Sequence, residues 1–284
     1  MIRRVGVVGC GLMGSGIVET VARSGYEVIV HELTSDLLQR GLARIDASMQ
    51  RAVERKKLET AARDQARGRI RGTTTLADLA DTDLVIEVVI ERMDDKKKVL
   101  GELDRLVGPG VVLASNTSSL SITDMAAATG RPDRVVGMHF MNPVPVMPVV
   151  EMVRGLATSD ETLRTARAFA ESLSKKVVVA KDSPGFIVNR LLVPYLLDAV
   201  RVYEQGLATR EDIDTAVTLS LNHPMGPLTL LDFVGLDTTY YIAEAMYQET
   251  KDSRWAPPVM LKHMVSAGWL GRKSGRGFYE YSKD

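Results

Sequence analysis

The chain has 284 residues, 45% of them hydrophobic and 25% charged, and Lys+Arg and Asp+Glu both total 36, so the formal net charge is zero. That balance excludes a disordered chain and gives no global pull toward nucleic acid or a membrane surface. The length fits one large domain or two smaller ones at roughly 100–200 residues each.

Arg3 and Arg4 precede an apolar stretch, as in a signal peptide, but Gly9, Gly11, Gly14 and Gly16 interrupt it and Glu19 follows. A buried first strand is the better reading. No run approaches the ~18 apolar residues of a membrane span. The single cysteine, Cys10, cannot form an intrachain disulfide and suits a reducing compartment, so a cytoplasmic location is expected.

In chain order, Val5–Val8 reads as a strand and Leu12–Ser24 as a helix stopped by Gly25. Val28, Ile29 and Val30 form a second strand. A polar stretch from Ser35 to about Arg71 carries Leu37, Leu38, Leu42 and Ile45 at helical spacing, the mark of a long second helix. Leu84–Val89 is a third apolar run. Asp94–Leu106 predicts a helix with Val99, Leu103 and Leu106 on its apolar face. Val111–Ala114, Val135–Met138, Val149–Val153 and Val177–Ala180 are further strands, with helices at Ser121–Ala128 and Thr162–Leu173. Strands alternating with helices imply parallel pairing, and continuous apolar runs imply strands covered on both faces.

From Ser183-Pro184-Gly185, read as a helix start with a serine cap, the pattern turns helical to the end. Helices are predicted at Gly185–Gln205, Thr209–Ser220, Leu228–Gln248 and Pro258–Ala267. The expected architecture is α/β: a Rossmann-type, mostly parallel, doubly wound domain over 1–183, then an all-helical domain over 184–284 that binds substrate and dimerises, with a cleft between.

Gly9-Cys10-Gly11-Leu12-Met13-Gly14 matches G-x-G-x-x-G between a predicted strand and a predicted helix, the context that gives the pattern meaning. Gly9 permits the tight turn, Gly11 lets backbone approach a pyrophosphate, and Gly14 allows close helix–strand packing. Glu32 stands where the ribose-binding acid should; it would repel a 2′-phosphate, and no Arg or Lys follows in Leu33–Asp36, so NAD is expected over NADP.

Polar residues cluster where parallel strands should end: Glu87 and Glu91, Ser115 to Ser119, and His139 with Asn142. Ligand crevices of doubly wound sheets lie there. Glu151 follows His139 on the next strand candidate, across the turn Pro143-Val144-Pro145. A hairpin-like return can set its carboxylate beside the imidazole, fixing the tautomer of a general base.

At this point the chain resembles the short, single-function 3-hydroxyacyl-CoA dehydrogenases, particularly the 3-hydroxybutyryl-CoA type, over about residues 3–281. The segments are Val7–Gly14, Ser115-Asn116-Thr117-Ser118-Ser119, His139-Phe140-Met141-Asn142-Pro143, Ser183–Arg190, His223-Pro224-Met225-Gly226-Pro227 and Gly275-Arg276-Gly277-Phe278-Tyr279. The resemblance implies His139 as general acid/base with Glu151 orienting it, Ser118 on the substrate 3-oxygen, and Asn189 on the thioester carbonyl. It implies Glu91, Lys96, Ser118, Asn142 and Lys273 as coenzyme contacts beside the loop residues Gly9, Gly11, Leu12, Met13 and Gly14. Three departures stand out: Glu32 where aspartate is commoner, Met141 for a frequent phenylalanine, and Ser220 where glycine is common.

Arg51, Arg55, Lys56 and Lys57 lie on or at the end of the second helix, diluted by Glu54 and Glu59. They read either as a solvated face or, as the resemblance implies for this region, as a cradle for the phosphates of coenzyme A; Arg51 and Lys57 are the candidates. Nucleic acid is not expected, because interleaved aromatics are absent, and no metal is expected.

The expected reaction is NAD-dependent, reversible oxidation of an L-3-hydroxyacyl-CoA to the 3-oxoacyl-CoA by a homodimer. Two rivals remain open. One is a dehydrogenase of a free hydroxyacid or sugar acid, often built on a lysine base. The other is a non-catalytic dinucleotide-binding protein.

Overall fold

The apolar run that opens the chain forms β1 (Arg4–Val8), buried from Val5 onward, and leads through the glycine loop into α1 (Leu12–Arg23). β2 (Glu27–His31), α2 (Ser35–Glu54), α3 (Thr60–Gly68) and β3 (Ile70–Thr73) follow. Then come β4 (Leu84–Glu87), α4 (Met93–Leu106), β5 (Val112–Ser115), α5 (Ile122–Ala126) and β6 (Val135–Phe140). β7 (Val149–Arg154), α6 (Asp160–Ser172) and β8 (Lys176–Lys181) complete the first part. This computed structural model describes residues 2–282, and the chain divides into two units, Met1–Ser183 and Pro184–Asp284.

In the first unit eight strands form one sheet in the order β3-β2-β1-β4-β5-β6-β7-β8. All neighbours are parallel except β6 and β7. The 141–148 connection explains that exception, because a parallel partner needs a crossover of roughly a dozen residues or more. The strand order reverses at β1, so the β1–α1 loop sits at the switch point where such sheets bind ligands. Val5, Val7, Val28, Val30, Leu84, Ile86, Val112, Ala114, Val136 and Met138 form the core with Ile17, Val18 and Val21 of α1. The expected alternation of strands and helices is thus realised as a mostly parallel, doubly wound sheet.

Two local readings need correction here. The second helix ends at Glu54, beside the basic residues expected at its end, because Lys56 takes a left-handed backbone (φ 56°); the rest of the polar stretch, given no elements from the sequence, holds α3 and the edge strand β3. Arg71-Gly72 broke the apolar run that would have announced β3. On α4 the buried positions are Lys96, Leu100 and Leu103, whereas Leu106 is exposed. A buried lysine hid the true face.

The second unit contains α7 (Val188–Glu204), α8 (Arg210–Leu221), α9 (Pro227–Val234), α10 (Leu236–Thr250) and α11 (Val259–Ser266). Val193, Leu196, Leu197, Val200, Leu228, Leu231, Met246, Trp255 and Leu261 make its core. Buried Asp214 caps α9, accepting from the backbone N–H of Leu228 (2.8 Å) and Thr229 (2.9 Å). The helix expected from Gly185 begins at Val188 instead. Pro184-Gly185 is a turn dipeptide, and Gly185 (φ 74°) and Phe186 (φ 50°) are left-handed. The single helix expected over Leu228–Gln248 is two, broken at Gly235 (φ 103°). Among the described residues no helix is long and apolar enough to cross a membrane.

Candidate active site

The glycine loop is shaped by backbone contacts. Gly9 has φ 103°, and a Cβ there would lie 2.6 Å from the Val88 carbonyl oxygen. A Cβ on Gly14 would lie 1.9 Å from the Gly9 carbonyl oxygen. Gly11 is the opposite case: a Cβ there meets nothing within 4 Å. It caps α1 without any side-chain cap. Open space above uncapped helix N–H groups suits a phosphate.

Glu32 is locked beside this loop. Its Oε1 accepts from the Cys10 N–H (2.7 Å) and its Oε2 from the Leu33 N–H (3.0 Å). The carboxylate is therefore fixed with lone pairs left for a ribose diol. Cys10 is buried, and burial, helped by the Glu32 charge, pushes its thiol up to about 12. It stays protonated and acts as packing beneath Gly41 of α2. The loop and Glu32 together fit a dinucleotide.

The strand ends hold the second group. The antiparallel register pairs His139 directly with Glu151. His139 Nδ1 and Glu151 Oε2 are 2.7 Å apart, with Glu151 wholly buried. An ionised carboxylate can only accept, so Nδ1 carries hydrogen and Nε2 is the nitrogen whose protonation changes. Asn116 ties the neighbouring loop to this strand, its Oδ1 accepting from the Phe140 N–H (2.9 Å).

Glu91 organises that loop. Its Oε1 accepts from Thr117 Oγ1 (2.5 Å), Ser118 N–H (2.8 Å) and Ser118 Oγ (3.2 Å). Burial works to raise its pKa, but the Lys96 charge and the bonds from Thr117 and Ser118 outweigh it and hold the carboxyl below the usual range. Lys96 is only 1% exposed, so it is no solvated member of the lysine run. Its ammonium contacts Glu87 (2.8 Å), Glu91 (3.2 Å) and the Val89 carbonyl (3.3 Å). Glu87, Ser115, Asn116 and Thr117 are polar residues of this cluster to which sequence reasoning gave no role; their place at strand ends was the available signal.

The basic candidates separate. Arg51 lines a cavity of about 130 Å³ with Arg44, Ser48, Glu19, Leu12, Asn142 and Pro143, while Lys57 stands past the end of α2 and does not. Arg44 also donates to the Cys10 carbonyl (3.1 Å). Residues 44, 48 and 51 share one helix face by i, i+4, i+7 spacing, the pattern that could have pointed to Arg44. In the second unit Asn189 is buried on α7, and Lys273 pairs with Asp237 (2.6 Å).

Comparison with known proteins places this geometry. The model of the 3-hydroxyacyl-CoA dehydrogenase NAD binding domain matches residues 4–183, and that of the 3-hydroxyacyl-CoA dehydrogenase C-terminal domain matches residues 185–281. The 3-hydroxybutyryl-CoA dehydrogenase of Mycobacterium tuberculosis is 53% identical over 282 residues, covering 99% of both chains. The mitochondrial hydroxyacyl-coenzyme A dehydrogenase of Sus scrofa is 41% identical, over 99% of this chain and 92% of that one. The crystal structure of (S)-3-hydroxybutyryl-CoA dehydrogenase PaaH1 from Ralstonia eutropha superposes with a TM-score of 0.95 at 46% identity, covering 100% of both chains. Matched from residue 4 to residue 281, with relatives alike from end to end, the chain belongs to the 3-hydroxyacyl-CoA dehydrogenase family.

Proposed function

We propose that the protein catalyses NAD-dependent, reversible oxidation of L-3-hydroxyacyl-CoA, with 3-hydroxybutyryl-CoA as substrate and acetoacetyl-CoA as product. The observation that carries the reading is the 2.7 Å contact between His139 and buried Glu151. NAD held at the glycine loop and Glu32 would supply the hydride acceptor for C3. His139 Nε2 takes the proton from the 3-hydroxyl, and Glu151 stabilises the imidazolium so formed. Ser118 hydrogen-bonds the 3-oxygen and keeps it oriented. Gly9, Gly11 and Gly14 with Leu12 and Met13 hold the pyrophosphate side of NAD; Glu32 holds the adenosine ribose, and Glu91 and Asn142 serve the nicotinamide side. Asn189 and Lys273 keep the thioester and coenzyme roles that the family pattern gives them. Arg51, with Arg44 beside it, serves the coenzyme A phosphates; Lys57, outside their cavity, has a weaker claim.

Steady-state NADH oxidation tests this against the free-acid and non-catalytic readings. Acetoacetyl-CoA should be turned over and free acetoacetate should not. Equal use of both would favour a free-acid dehydrogenase, and turnover of neither a dinucleotide-binding protein.

We further propose a homodimer through the helical unit. The apolar stretch Leu191–Leu197 does not carry this, since Val193, Leu196 and Leu197 are core. Support comes instead from large apolar side chains left at the surface, among them Leu191, Leu219, Leu221 and Tyr241. Light scattering should give twice the 31.1 kDa chain mass; a stable monomer would contradict it.

A further inference from the structure

Under the Ser115–Ser119 loop three charged side chains form one cluster. Glu87, the last residue of β4, is fully buried. Both its oxygens are engaged. Oε1 accepts from the Val89 N–H (2.7 Å) and Lys96 Nζ (2.8 Å), and Oε2 from the Ser115 hydroxyl (2.6 Å). Lys96 has three donors and three oxygens around it, on Glu87, Glu91 and Val89. Two lines of contact therefore run from Glu87 to the loop. One passes through Lys96 and Glu91 to the backbone and hydroxyl of Ser118. The other passes through Ser115, whose oxygen accepts from the Thr117 N–H (3.3 Å).

Burying such charges costs desolvation that their mutual attraction only partly offsets, and apolar side chains of similar volume often stabilise a fold as well or better. The next buried positions of α4, Leu100 and Leu103, show what packing alone asks for on this face. A lysine between two carboxylates calls for another reason, and the loop they hold supplies one.

We propose that Glu87 is a positioning residue: through Lys96 and Ser115 it fixes the segment that presents Ser118. The assignment of Ser118 to the substrate rests on the acyl-CoA dehydrogenase reading above; the placement of the loop does not. A carboxylate is required because it only accepts. It obliges the Ser115 hydroxyl to donate to it, which leaves the Ser115 oxygen for Thr117. It also gives Lys96 a second anion, so that the ammonium is shared and not drawn wholly onto Glu91. Glutamine keeps the volume but inverts one contact. If its NH₂ faces Ser115, the Ser115 hydroxyl becomes an acceptor from it and its hydrogen loses the acceptor it had on Glu87. If it faces Lys96 and Val89, donors meet donors. Either way Lys96 shifts toward Glu91 and Ser118 loses its fixed partner.

The test is amide hydrogen exchange by mass spectrometry on ligand-free wild type and Glu87→Gln, paired with kinetics. The peptide covering residues 116–120 should exchange at least ~10-fold faster in the variant, while peptides from β1 and α1 keep wild-type rates. With acetoacetyl-CoA, kcat should fall about tenfold or more, as for a reacting group displaced by a fraction of an ångström. KM for acetoacetyl-CoA should stay within about threefold, since the groups proposed for the coenzyme A half are untouched, while NADH affinity should fall by less than kcat does, because the glycine loop and Glu32 still hold the coenzyme. If Glu87→Gln does not fold, Ser115→Ala cuts the second line alone and should produce the same local acceleration at Thr117. Wild-type exchange over 116–120 would overturn the proposal. So would faster exchange spread evenly over the first unit, with kcat falling only in step with the melting temperature. If wild type fails to turn over acetoacetyl-CoA while the local exchange effect persists, the acyl-CoA reading fails and the positioning role stands.

Discussion

Gly14→Ala is expected to unseat the glycine loop, because the new methyl would stand 1.9 Å from the Gly9 carbonyl oxygen. Backbone, not a flexible side chain, must give way. A stability loss of about 1–3 kcal/mol follows from overpacking of this kind. NADH affinity should fall on the order of 100-fold, equivalent to about 2.7 kcal/mol. Gly11→Ala separates the two effects. Nothing lies within 4 Å of its Cβ, and its φ of −66° is ordinary for alanine. Its stability should change by less than about 1 kcal/mol, the scale of exchanging one uncapped helix start for another. Its NADH affinity should still fall, because the methyl stands in the open space where the backbone would otherwise approach a phosphate. Thermal melts with fluorescence titration of NADH read both quantities. Equal melting losses in the two variants would remove the distinction, and unchanged NADH affinity in Gly11→Ala would place the coenzyme elsewhere.

Much of the first unit was readable from one sequence because β1, β2, β4, β5, β6 and β7 are buried along most of their length and announce themselves as apolar runs, as does β8 although Val178 and Val179 are exposed. The same rule failed at β3, an edge strand where two of four residues are exposed. The His139–Glu151 pair was readable because a proline-rich turn joins two strand candidates, and such a connection forces antiparallel return and direct pairing. Glu87 and Lys96 were not readable in the same way. A lysine followed by two more looks solvated, and only the tertiary arrangement shows that β4 ends with its counter-charge beneath it. In the helical unit the misplaced boundaries fall at Gly185 and Gly235, whose left-handed backbones interrupt patterns that hydrophobic spacing alone carries straight through.

His139→Gln is expected to remove the proton chemistry while leaving the site built. Glutamine is of similar size and its amide can still donate to Glu151, so the buried carboxylate is not stranded, a loss that would cost roughly 1–3 kcal/mol. What it lacks is a ring nitrogen that can take up and give back a proton. General acid–base catalysis is worth ~10²–10⁴ in rate, so kcat should fall by that factor with the melting temperature and NADH affinity close to wild type. The most direct measurement is a single turnover: the enzyme–NADH complex is mixed with acetoacetyl-CoA and the loss of NADH absorbance is followed. Hydride transfer slowed by ~10²–10⁴ in His139→Gln, with NADH bound as tightly as in wild type, is the predicted result. Transfer at a near wild-type rate would contradict the assignment of the His139–Glu151 pair as the device that moves the proton.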